Sequence, residues 1–392
     1  MPPAPGLAPL RVCQATGHTK VVAQKVKGTS TAEHSHRLRS GAKAEPNVAL
    51  TFEAKLILFG VNVAGVINWT NNLETFLAPI SDRMPLMLSK SETDPLVSII
   101  IPCWNSEATI RRCLDALTSQ RTSVAYDITV VDSSTDKTPS IVKQEYPSVN
   151  LIHLEKQTFA GAARNIGIKA TRSTYCLMID SDCVAELDLI DKAINRHSEG
   201  NYAAVGGSLA NGTPNSLSGF IGYLIEFKEF MPSAPLRLEK GNPTANITYR
   251  RETLEKYDGF DDSMWLAEDI LLHWKMYQSG ERILFDPAIK VTHLNKTGWR
   301  RVLGYQVDLG RLSAVARRRG GMPGTILLEY PPLIVLMPFA RTYRALVWFA
   351  RHDGRVFWLF LLIWPIYFLA AAYWSFGFLS ERWSKDDGPA AN

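Results

Sequence analysis

The sequence lacks several short motifs by which nucleotide-binding, metal-binding and secreted proteins are commonly identified. Its 392 residues contain no Cys-x-x-Cys pair, no GxGxxG fingerprint and no GxxxxGK[ST] phosphate loop. These absences argue against a zinc ribbon, a dinucleotide-binding domain with the usual glycine turn, and a P-loop NTPase. The five cysteines are an odd set, so a disulfide framework is not indicated and a reducing compartment fits best.

Long hydrophobic runs are also scarce. The start of the sequence lacks the apolar stretch of about 7 to 15 residues that marks a secretory signal. With 46% hydrophobic and 21% charged residues, the composition excludes a wholly disordered chain and a polytopic membrane protein. The clear exception is 356–379, which is uncharged and rich in aromatic residues. Its length suits a hydrocarbon layer of about 30 Å, so we predict one transmembrane helix there and a short tail at 380–392 outside.

The formal net charge of +5 is unevenly distributed. Residues 1–47 carry +5, residues 48–297 carry −6, and residues 298–355 carry +7. The last basic segment directly precedes the predicted membrane helix, and basic residues favour the cytoplasmic side of a membrane. We therefore expect a cytoplasmic domain at a cell membrane, which in a bacterial-type cell is the inner membrane. The basic segment 298–355 is expected to lie against the lipid.

A second apolar segment, 325–340, is short, contains Glu329 and is interrupted by Pro331 and Pro332. It is interpreted as an interfacial or re-entrant segment following a basic amphipathic helix at 298–319. A hairpin of two membrane spans is the open alternative. That hairpin would place the arginines of 341–355 beyond the membrane, which the positive-inside tendency opposes.

The first 95 residues give little indication of a packed core. Residues 1–47 are basic, show no periodicity and are predicted to be disordered, or to be an over-long start, because Met84 and Met87 precede the first clear strand. Residues 48–95 are an unresolved lead-in. The basic tail has no interleaved aromatic residues, so nucleic-acid binding is not expected.

From residue 96 onward, short apolar runs alternate with amphipathic ones, which is typical of an α/β fold. Ser106 is predicted to cap the first helix, whose apolar face repeats at helical spacing. The predicted strands are 96–102, 127–131, 150–154, 175–179, 202–209 and 244–249, followed by a strand pair at 283–286 and 289–293. The predicted helices of this region are 106–117, 159–170 and 267–278.

Acidic residues follow two of these strands. Asp132 ends the second strand, and Asp180 and Asp182 follow the fourth. Ligands of open α/β sheets collect at the carboxyl ends of strands, so the loops after strands one, two and four are expected to share one crevice. The pair Asp180 and Asp182 suits Mg²⁺ or Mn²⁺ bridging to a diphosphate, with a solvated turn as the alternative.

The segment FAGAARNIGI places a flexible backbone and a cation within one turn. Gly161 and Arg164 lie in this turn, and a bidentate guanidinium suits phosphate oxygens. Asp132 is of the residue type that accepts hydrogen bonds from a base or a ribose.

The ordered set of motifs VSIIIPCWN, VVDSSTDKT, FAGAARNIGIKAT, LMIDSDC, TANITYRRETLEKYDGFDD and AEDILLHWKMYQSG resembles the family 2 glycosyltransferases. The resemblance covers about residues 96–297. It implies the GT-A fold, a Rossmann-like mixed α/β sheet flanked by helices, and an inverting reaction that uses a nucleotide-diphosphate sugar.

The resemblance also implies residue roles. Asp132 contacts the nucleobase or ribose, Pro102 and the next loop line the nucleotide pocket, and Arg164 orients Asp180 and the nucleotide. Asp180 faces the ribose or sugar, and Asp182 is the principal metal ligand. The pair Glu268 and Asp269 supplies the catalytic base, which is Asp269. Ordinary acids in the first turn of a helix are the alternative for this pair.

Other features of the sequence concern the metal site, the nucleotide site and the acceptor side. His293 matches a place where some GT-A enzymes have a third metal ligand or a diphosphate contact, and a structural histidine is the alternative. Ser133 stands where many relatives have a second aspartate. The QxxRW signature of processive synthases is absent, which favours one sugar per binding event. Residues 210–240 and 258–268, which contain Phe220, Tyr223, Phe227, Phe230 and Trp265, are expected on the acceptor side or in packing.

The sequence therefore predicts a metal-dependent, membrane-anchored glycosyltransferase with a glycan or lipid-linked acceptor, acting in cell-surface polysaccharide or glycolipid synthesis. Two alternatives stay open. The acceptor could be a polyprenyl phosphate, or the chain could be a catalytically silent nucleotide-sugar-binding subunit.

Overall fold

The computed structural model describes residues 94–383, so the predictions for 1–47, for most of 48–95 and for 384–392 lie outside the described residues. Nine strands form one sheet. They are β1 (Val97–Cys103), β2 (Tyr126–Asp132), β3 (Asn150–His153), β4 (Tyr175–Ile179), β5 (Cys183–Ala185), β6 (Ala204–Asn211), β7 (Arg237–Glu239), β8 (Asn246–Arg250) and β9 (Ile283–His293).

The sheet is mixed, with strand order β3-β2-β1-β4-β8-β6-β9-β5, and β7 pairs with β9. The first four strands in this order pair in parallel, whereas β8 is antiparallel to both β4 and β6. Strand β9 runs parallel to β6 and antiparallel to β5. The carboxyl ends of β1, β2 and β4 therefore lie side by side at one edge.

Eleven α-helices accompany the sheet in the described part of the chain. They are α1 (Ile110–Thr118), α2 (Thr138–Glu145), α3 (Ala160–Ala170), α4 (Leu189–Glu199), α5 (Leu217–Phe227), α6 (Arg251–Lys256), α7 (Glu268–Gln278), α8 (Trp299–Gly320), α9 (Ile326–Glu329), α10 (Met337–His352) and α11 (Gly354–Ser380). Short 3₁₀ turns occur at Lys228–Phe230, Pro331–Leu336 and Glu381–Trp383.

Helix α1 shows how the apolar periodicity builds the core. The predicted apolar face of Ile110, Cys113, Leu114 and Leu117 is the buried face of the helix. It packs on the β1 strand, whose residues are almost all buried. The predicted capping role of Ser106 is wrong, because the helix begins at Ile110 and its N-cap is Thr109. The Thr109 side chain makes no capping hydrogen bond.

The predicted strand pair at 283–286 and 289–293 is also wrong, because β9 runs unbroken from Ile283 to His293. Its register against β6 shifts between Gly207 and Ser208, so an irregularity replaces the expected turn. A Cβ on Gly207 would lie 2.0 Å from the Ile289 carbonyl oxygen. The absence of a side chain there lets the two backbones approach closely.

The C-terminal elements differ from their predicted bounds. Within 325–340, α9 and a 3₁₀ turn precede α10, which continues through Arg341 to His352. Helix α11 matches the predicted apolar helix and is three residues longer in total. Two stretches are long and apolar enough to cross a membrane: Pro331–His352, with mean hydropathy 1.3, and Gly354–Trp383, with mean hydropathy 2.0.

Candidate functional site

The loops after β1, β2 and β4 meet in one crevice, which confirms that part of the prediction. The Asn105 amide donates to Ser134 Oγ at 2.7 Å, so the first two loops are joined. Ser106 and Ser181 share a hydrogen bond of 2.7 Å between their hydroxyls, which joins the first loop to the third. Asn105 has φ of 50°, a left-handed conformation that asparagine tolerates.

Asp132, which the sequence assigned to the nucleobase or ribose, lies at the base of this crevice and is fully buried. Its carboxylate is 2.6 Å from His153 Nδ1 and accepts a hydrogen bond from Ser134 Oγ at 2.5 Å. The His153 side chain is 42% exposed. His153 and Ser134 therefore cover the Asp132 carboxylate. Pro102, expected to line the nucleotide pocket, is half-buried on β1 opposite Val131.

Asp182 and His293 lie together on the other side of the crevice. Strands β5 and β9 pair with Cys183 opposite His293, and the Leu294 amide donates to the Asp182 carbonyl at 2.8 Å. This pairing brings His293 Nε2 to 3.5 Å from Asp182 Oδ1. Ligand atoms of Asp182, Cys183 and His293 lie within 4.8 Å of one another.

The chemistry of this group fits a divalent cation held by two residues. His293 Nδ1 is 2.9 Å from Asn295 Oδ1, an acceptor, so Nδ1 donates to Asn295 and Nε2 is the ring nitrogen that faces Asp182. The Asn295 amide group is held in turn by Asn211 and Thr213. Burial raises the pKa of the Cys183 thiol well above its usual range, and a neutral thiol is a poor ligand for a hard cation.

Arg164 connects the metal side of the crevice to the candidate base. Its Nη2 donates to Asp180 Oδ1 at 2.6 Å, and its Nη1 donates to Glu268 Oε1 at 2.5 Å. The guanidinium is almost fully buried and lies 5.6 Å from the Phe260 ring centroid. Arg164 therefore holds the Asp180 and Glu268 carboxylates in place. The phosphate contact suggested by the residue pattern stays a prediction.

Gly161, which the sequence assigned to nucleotide binding, lies one turn before Arg164 on the same helix. A Cβ at this position would lie 3.0 Å from Glu268 Cγ and 3.3 Å from the Asp261 carbonyl oxygen. The glycine therefore allows α3 to approach the start of α7. This close approach is what places Glu268 within reach of Arg164.

The two acids at the start of α7 differ in their surroundings. Glu268 is 5% exposed and lies against Arg164, whereas Asp269 remains partly accessible. Burial and the adjacent Glu268 charge raise the pKa of Asp269 to about 7. Asp269 Oδ1 accepts a hydrogen bond of 2.7 Å from the Ile270 amide. These are not ordinary solvated first-turn acids.

Ala267, which precedes this helix, has φ of 65°. A left-handed conformation is costly for a residue with a Cβ and persists only where the surroundings enforce it. Ala267 is buried in a cluster with Leu271 of α7 and Leu312 of α8, which supplies that constraint. The strained turn directs the first residues of α7 toward the crevice.

A small cavity adjoins the Asp182 and His293 pair. Glu226 and Tyr305 line it from α5 and α8, together with His293, Asn295 and Lys296. Glu226 Oε1 accepts from Gln306 Nε2 at 3.0 Å, and burial raises the pKa of this carboxyl. The sequence prediction missed Glu226, Tyr305 and Asn295, because they lie on elements distant in sequence and outside the acidic motifs.

Four of the predicted acceptor-side aromatics, Phe220, Tyr223, Phe227 and Phe230, take part in packing. Phe227 packs on the His293 ring at 4.9 Å between centroids, and the buried Tyr223 donates its hydroxyl to the Leu209 carbonyl. Phe220 lies against the same core, and Phe230 packs edge-on to Phe285. Trp265, beside α7, has a buried indole nitrogen with no hydrogen-bond partner.

The chain matches a known family over the region that forms this crevice. The profile of the family described as Glycosyl transferase family 2 matches residues 98–258. The chain therefore contains a glycosyl transferase family 2 domain. Strands β2 to β8 and all but the first residue of β1 lie within the matched region, whereas α7 and His293 lie beyond it.

Relatives with known names match about half of the chain. Glycosyltransferase AglE of Haloferax volcanii is 27% identical over 189 residues, which are 47% of this chain and 61% of that protein. The uncharacterized glycosyltransferase EpsJ of Bacillus subtilis is 28% identical over 200 residues, 48% of this chain and 58% of that protein. The chain thus spans about three fifths of the length of these relatives.

The fold is that of a solved glycosyltransferase. The mannosyltransferase PcManGT from Pyrobaculum calidifontis, solved with GDP-Man and Mn²⁺, superposes with a TM-score of 0.52 at 19% identity. The likeness covers 75% of this chain and 89% of that structure. The mixed sheet and its flanking helices therefore form a GT-A fold, as predicted.

Proposed function

We propose that this chain is a metal-dependent, inverting glycosyltransferase that moves a sugar from a nucleotide-diphosphate donor to a hydroxyl of a glycan or a lipid-linked acceptor. The observation that carries the proposal is the Arg164 bridge, which joins Asp180 of the metal motif to Glu268 beside Asp269. This bridge places a candidate donor side and a candidate base side in one crevice. The glycosyltransferase names of the relatives agree with the class of reaction.

On the donor side, Asp182 and His293 would hold the cation. A carboxylate with an imidazole suits Mn²⁺ better than Mg²⁺, because Mg²⁺ prefers oxygen ligands throughout. When bound, the cation would offset the charge that develops on the leaving diphosphate. Asp180, held by Arg164, would face the ribose or sugar, and the loops around His153 and Pro102 would line the nucleotide pocket.

On the acceptor side, Asp269 would act as the general base. Its raised pKa matches a group that takes a proton near neutral pH. The acceptor oxygen forms a bond to the anomeric carbon as its proton passes to an Asp269 oxygen. The bond from that carbon to the diphosphate oxygen breaks on the opposite face, so the configuration inverts and the nucleoside diphosphate leaves.

The same catalytic site would act at a cell membrane, with the domain on the cytoplasmic side, in cell-surface polysaccharide or glycolipid synthesis. A relative of this chain, TarS of Staphylococcus aureus, is named as a poly(ribitol-phosphate) β-N-acetylglucosaminyltransferase, 29% identical over 198 residues. That match covers 47% of this chain and 33% of TarS, so it supports a glycan-type acceptor in class only.

The test is a screen of nucleotide sugars with the purified full chain, with and without Mn²⁺. Binding of a donor at 100 times its dissociation constant stabilises a folded protein by about 2.7 kcal/mol, which a melting curve detects. We expect one donor to stabilise the chain only with Mn²⁺, and to release nucleoside diphosphate when membrane extract supplies acceptor. A chain that binds nucleotide sugars but neither hydrolyses nor transfers them would be a silent subunit, and would contradict the proposal.

A further inference from the structure

The exposed apolar surface of this protein is concentrated at its C-terminal end. Of the 22 large hydrophobic side chains exposed in the described residues, 15 lie between Ile326 and Trp383. Such a patch on a soluble surface marks a site of association with a protein or a membrane.

On α11 and the turn that follows it, these side chains form one continuous stripe. Trp358, Leu362, Leu369, Phe376 and Trp383 are between 48% and 78% exposed. Neighbouring members are four or seven residues apart, about one or two helical turns, so they share a face from α11 into the 3₁₀ turn. The stripe runs from one end of the helix to the other.

The opposite face of α11 packs on the protein along its entire length. Near the start, Phe360 and Ile363 belong to the main hydrophobic core. Near the end, the backbones of α11 and α8 touch, since a Cβ on Gly377 would lie 1.9 Å from the Val307 carbonyl oxygen. Beyond the helix, Glu381 forms a 2.5 Å ion pair with Arg318 of α8.

Helix α10 is attached to the catalytic domain in the same manner. Arg344 is 3.3 Å from the Glu229 carboxylate, and the Trp348 ring lies 5.4 Å from the Arg237 guanidinium of β7. Phe349 packs on Phe360 of α11 at 5.1 Å. The outer face of α10 exposes Phe339 and other apolar side chains, as the outer face of α11 does.

This packing decides how the two helices can meet a membrane. The domain packs on α11 near its start, at Phe360, and at its end, at Glu381. If α11 crossed the bilayer, that domain would lie beside it within the hydrocarbon, where charged groups are costly. A helix held along its length on a charged domain can present its apolar face to a membrane by lying along the surface. We propose that α10 and α11 dock flat on an anionic phospholipid surface and do not span it.

The charges around the stripe favour lipid over a second copy of the chain. Arg351 and Arg355 are exposed near the junction of the two helices, and Arg382 is exposed at the far end. Arg317 of α8 and Arg341 of α10 lie over rings of α11, those of Phe378 and Trp374, and within the described residues neither has a carboxylate oxygen within 4.0 Å. Tryptophan and arginine together are typical of a surface that meets lipid headgroups.

Flat docking of α10 and α11 would bring the candidate base close to the lipid surface. Helix α7, which carries Asp269, packs on α8, and α8 packs on α11. Two helix layers of about 10 Å each therefore separate the candidate base from the lipid surface. A lipid-linked acceptor could reach the crevice without leaving the membrane. This consequence rests on the proposed function, whereas the docking itself does not.

Site-directed labelling tests the orientation in cells that express the full chain. Gly354→Cys and Arg382→Cys mark the two ends of α11, and Ser198→Cys on α4 marks the catalytic domain. The background carries Cys13→Ser, and the four described cysteines are buried. A membrane-impermeant maleimide is applied to spheroplasts and to everted vesicles.

We expect all three positions to be labelled from the same side. Labelling of Arg382→Cys alone from the opposite side would show a single span. Labelling of Gly354→Cys alone from the opposite side would show a hairpin of two spans. Either result overturns the proposal, whatever the outcome of the transferase assays.

Membrane partition tests the stripe itself. Leu362→Glu with Phe376→Glu places two charges on the exposed face, and we expect at least a tenfold fall in the membrane-bound fraction relative to the soluble fraction. Leu187→Glu, at a 39% exposed site far from the stripe, is the matched control and should leave partition unchanged. Recovery of the wild-type chain as a soluble dimer would show that a second copy covers the stripe, and would overturn the proposal.

The lipid itself is tested with vesicles of phosphatidylcholine, with and without about 30% phosphatidylglycerol. We expect binding of the full chain to the anionic vesicles to be at least tenfold tighter at low salt. The pair Arg317→Gln and Arg341→Gln should reduce this preference, whereas Arg112→Gln on α1 should not. Equal binding to both vesicles would contradict the anionic surface.

Discussion

The two sides of the crevice differ in the exposure and the pairing of their charged side chains. On the donor side, Asp182 and His293 face each other at 3.5 Å, and the Asp182 side chain is 27% exposed. On the base side, Arg164 and Glu268 are nearly inaccessible, and their ion pair is closed. The candidate donor side thus has a carboxylate and an imidazole available to a cation, whereas the candidate base side already contains the Arg164 guanidinium.

The base side also contains more negative than positive charge. Asp180, Glu268 and Asp269 all interact electrostatically with the single Arg164 guanidinium. One cation compensates two carboxylates through direct hydrogen bonds, and the third is Asp269. This imbalance, together with burial, is why the pKa of Asp269 rises although the residue begins a helix, where the dipole favours a carboxylate.

Arg164→Met should have the largest effect, because it leaves two carboxylates without their cation on the base side. Breaking a buried ion pair at one partner destabilises a protein by about 3 to 5 kcal/mol. We expect a lower melting temperature and no measurable transfer. Arg111→Met, which removes an exposed pair with Glu145, is the control and should melt close to the wild type. A stable, active Arg164→Met chain would show that the bridge is dispensable.

Asp269→Asn should remove the base and leave the donor side intact. Loss of a general base lowers turnover by about 10² to 10⁴ fold. We expect this fall in the turnover number, with Mn²⁺-dependent nucleotide binding unchanged in calorimetry. A variant that transfers at nearly the wild-type rate would favour the polyprenyl phosphate acceptor, since a phosphate oxygen needs little help from a base.

Asn295→Ala should weaken the donor side without touching a reacting atom. Removing the hydrogen-bond partner of a metal-ligating histidine typically costs about 10- to 100-fold in metal affinity. We expect the concentration of Mn²⁺ for half-maximal activity to rise by that factor, with the rate at saturating Mn²⁺ largely restored. Asn150→Ala, at the exposed start of β3, should leave the metal dependence unchanged.

The pH profile should show the smallest effect. Asp269 must be deprotonated to accept a proton, so kcat/KM should rise with pH and level off above about 7. The stability effect has the opposite sign: a raised carboxyl pKa contributes stability at low pH, and this contribution is lost as pH rises from about 4 to about 7. Asp269→Asn should lack both trends. An activity profile that is flat from pH 5 to 8 would exclude Asp269 as the base.

Much of this site was predictable from sequence because local patterns build it. Short apolar strands end on Asp132, Asp180 and Asp182, and parallel pairing brings those ends together. The close approach of His293 to Asp182 depends instead on the antiparallel pairing of β5 with β9, which are distant in sequence. The continuous β9 strand was divided in the prediction because Asp286 and Pro287 have the composition of a turn.

The C-terminal helices show the limit of hydropathy. The length and apolar character of 356–379 predict a helix that can cross a membrane, and the structure contains that helix. Hydropathy alone does not predict that Gly377 allows backbone contact between α11 and α8. The mode of membrane contact therefore depends on packing between elements that the pattern treats separately.

The most direct test of the two-sided crevice measures Mn²⁺-dependent binding of the donor nucleotide and the transfer rate in Asp182→Asn and Asp269→Asn side by side. We predict that Asp182→Asn loses both nucleotide binding and transfer, whereas Asp269→Asn keeps binding and loses transfer. If Asp182→Asn retained Mn²⁺-dependent binding, or if Asp269→Asn lost it, the assignment of one side to the cation and the other to the base would be wrong.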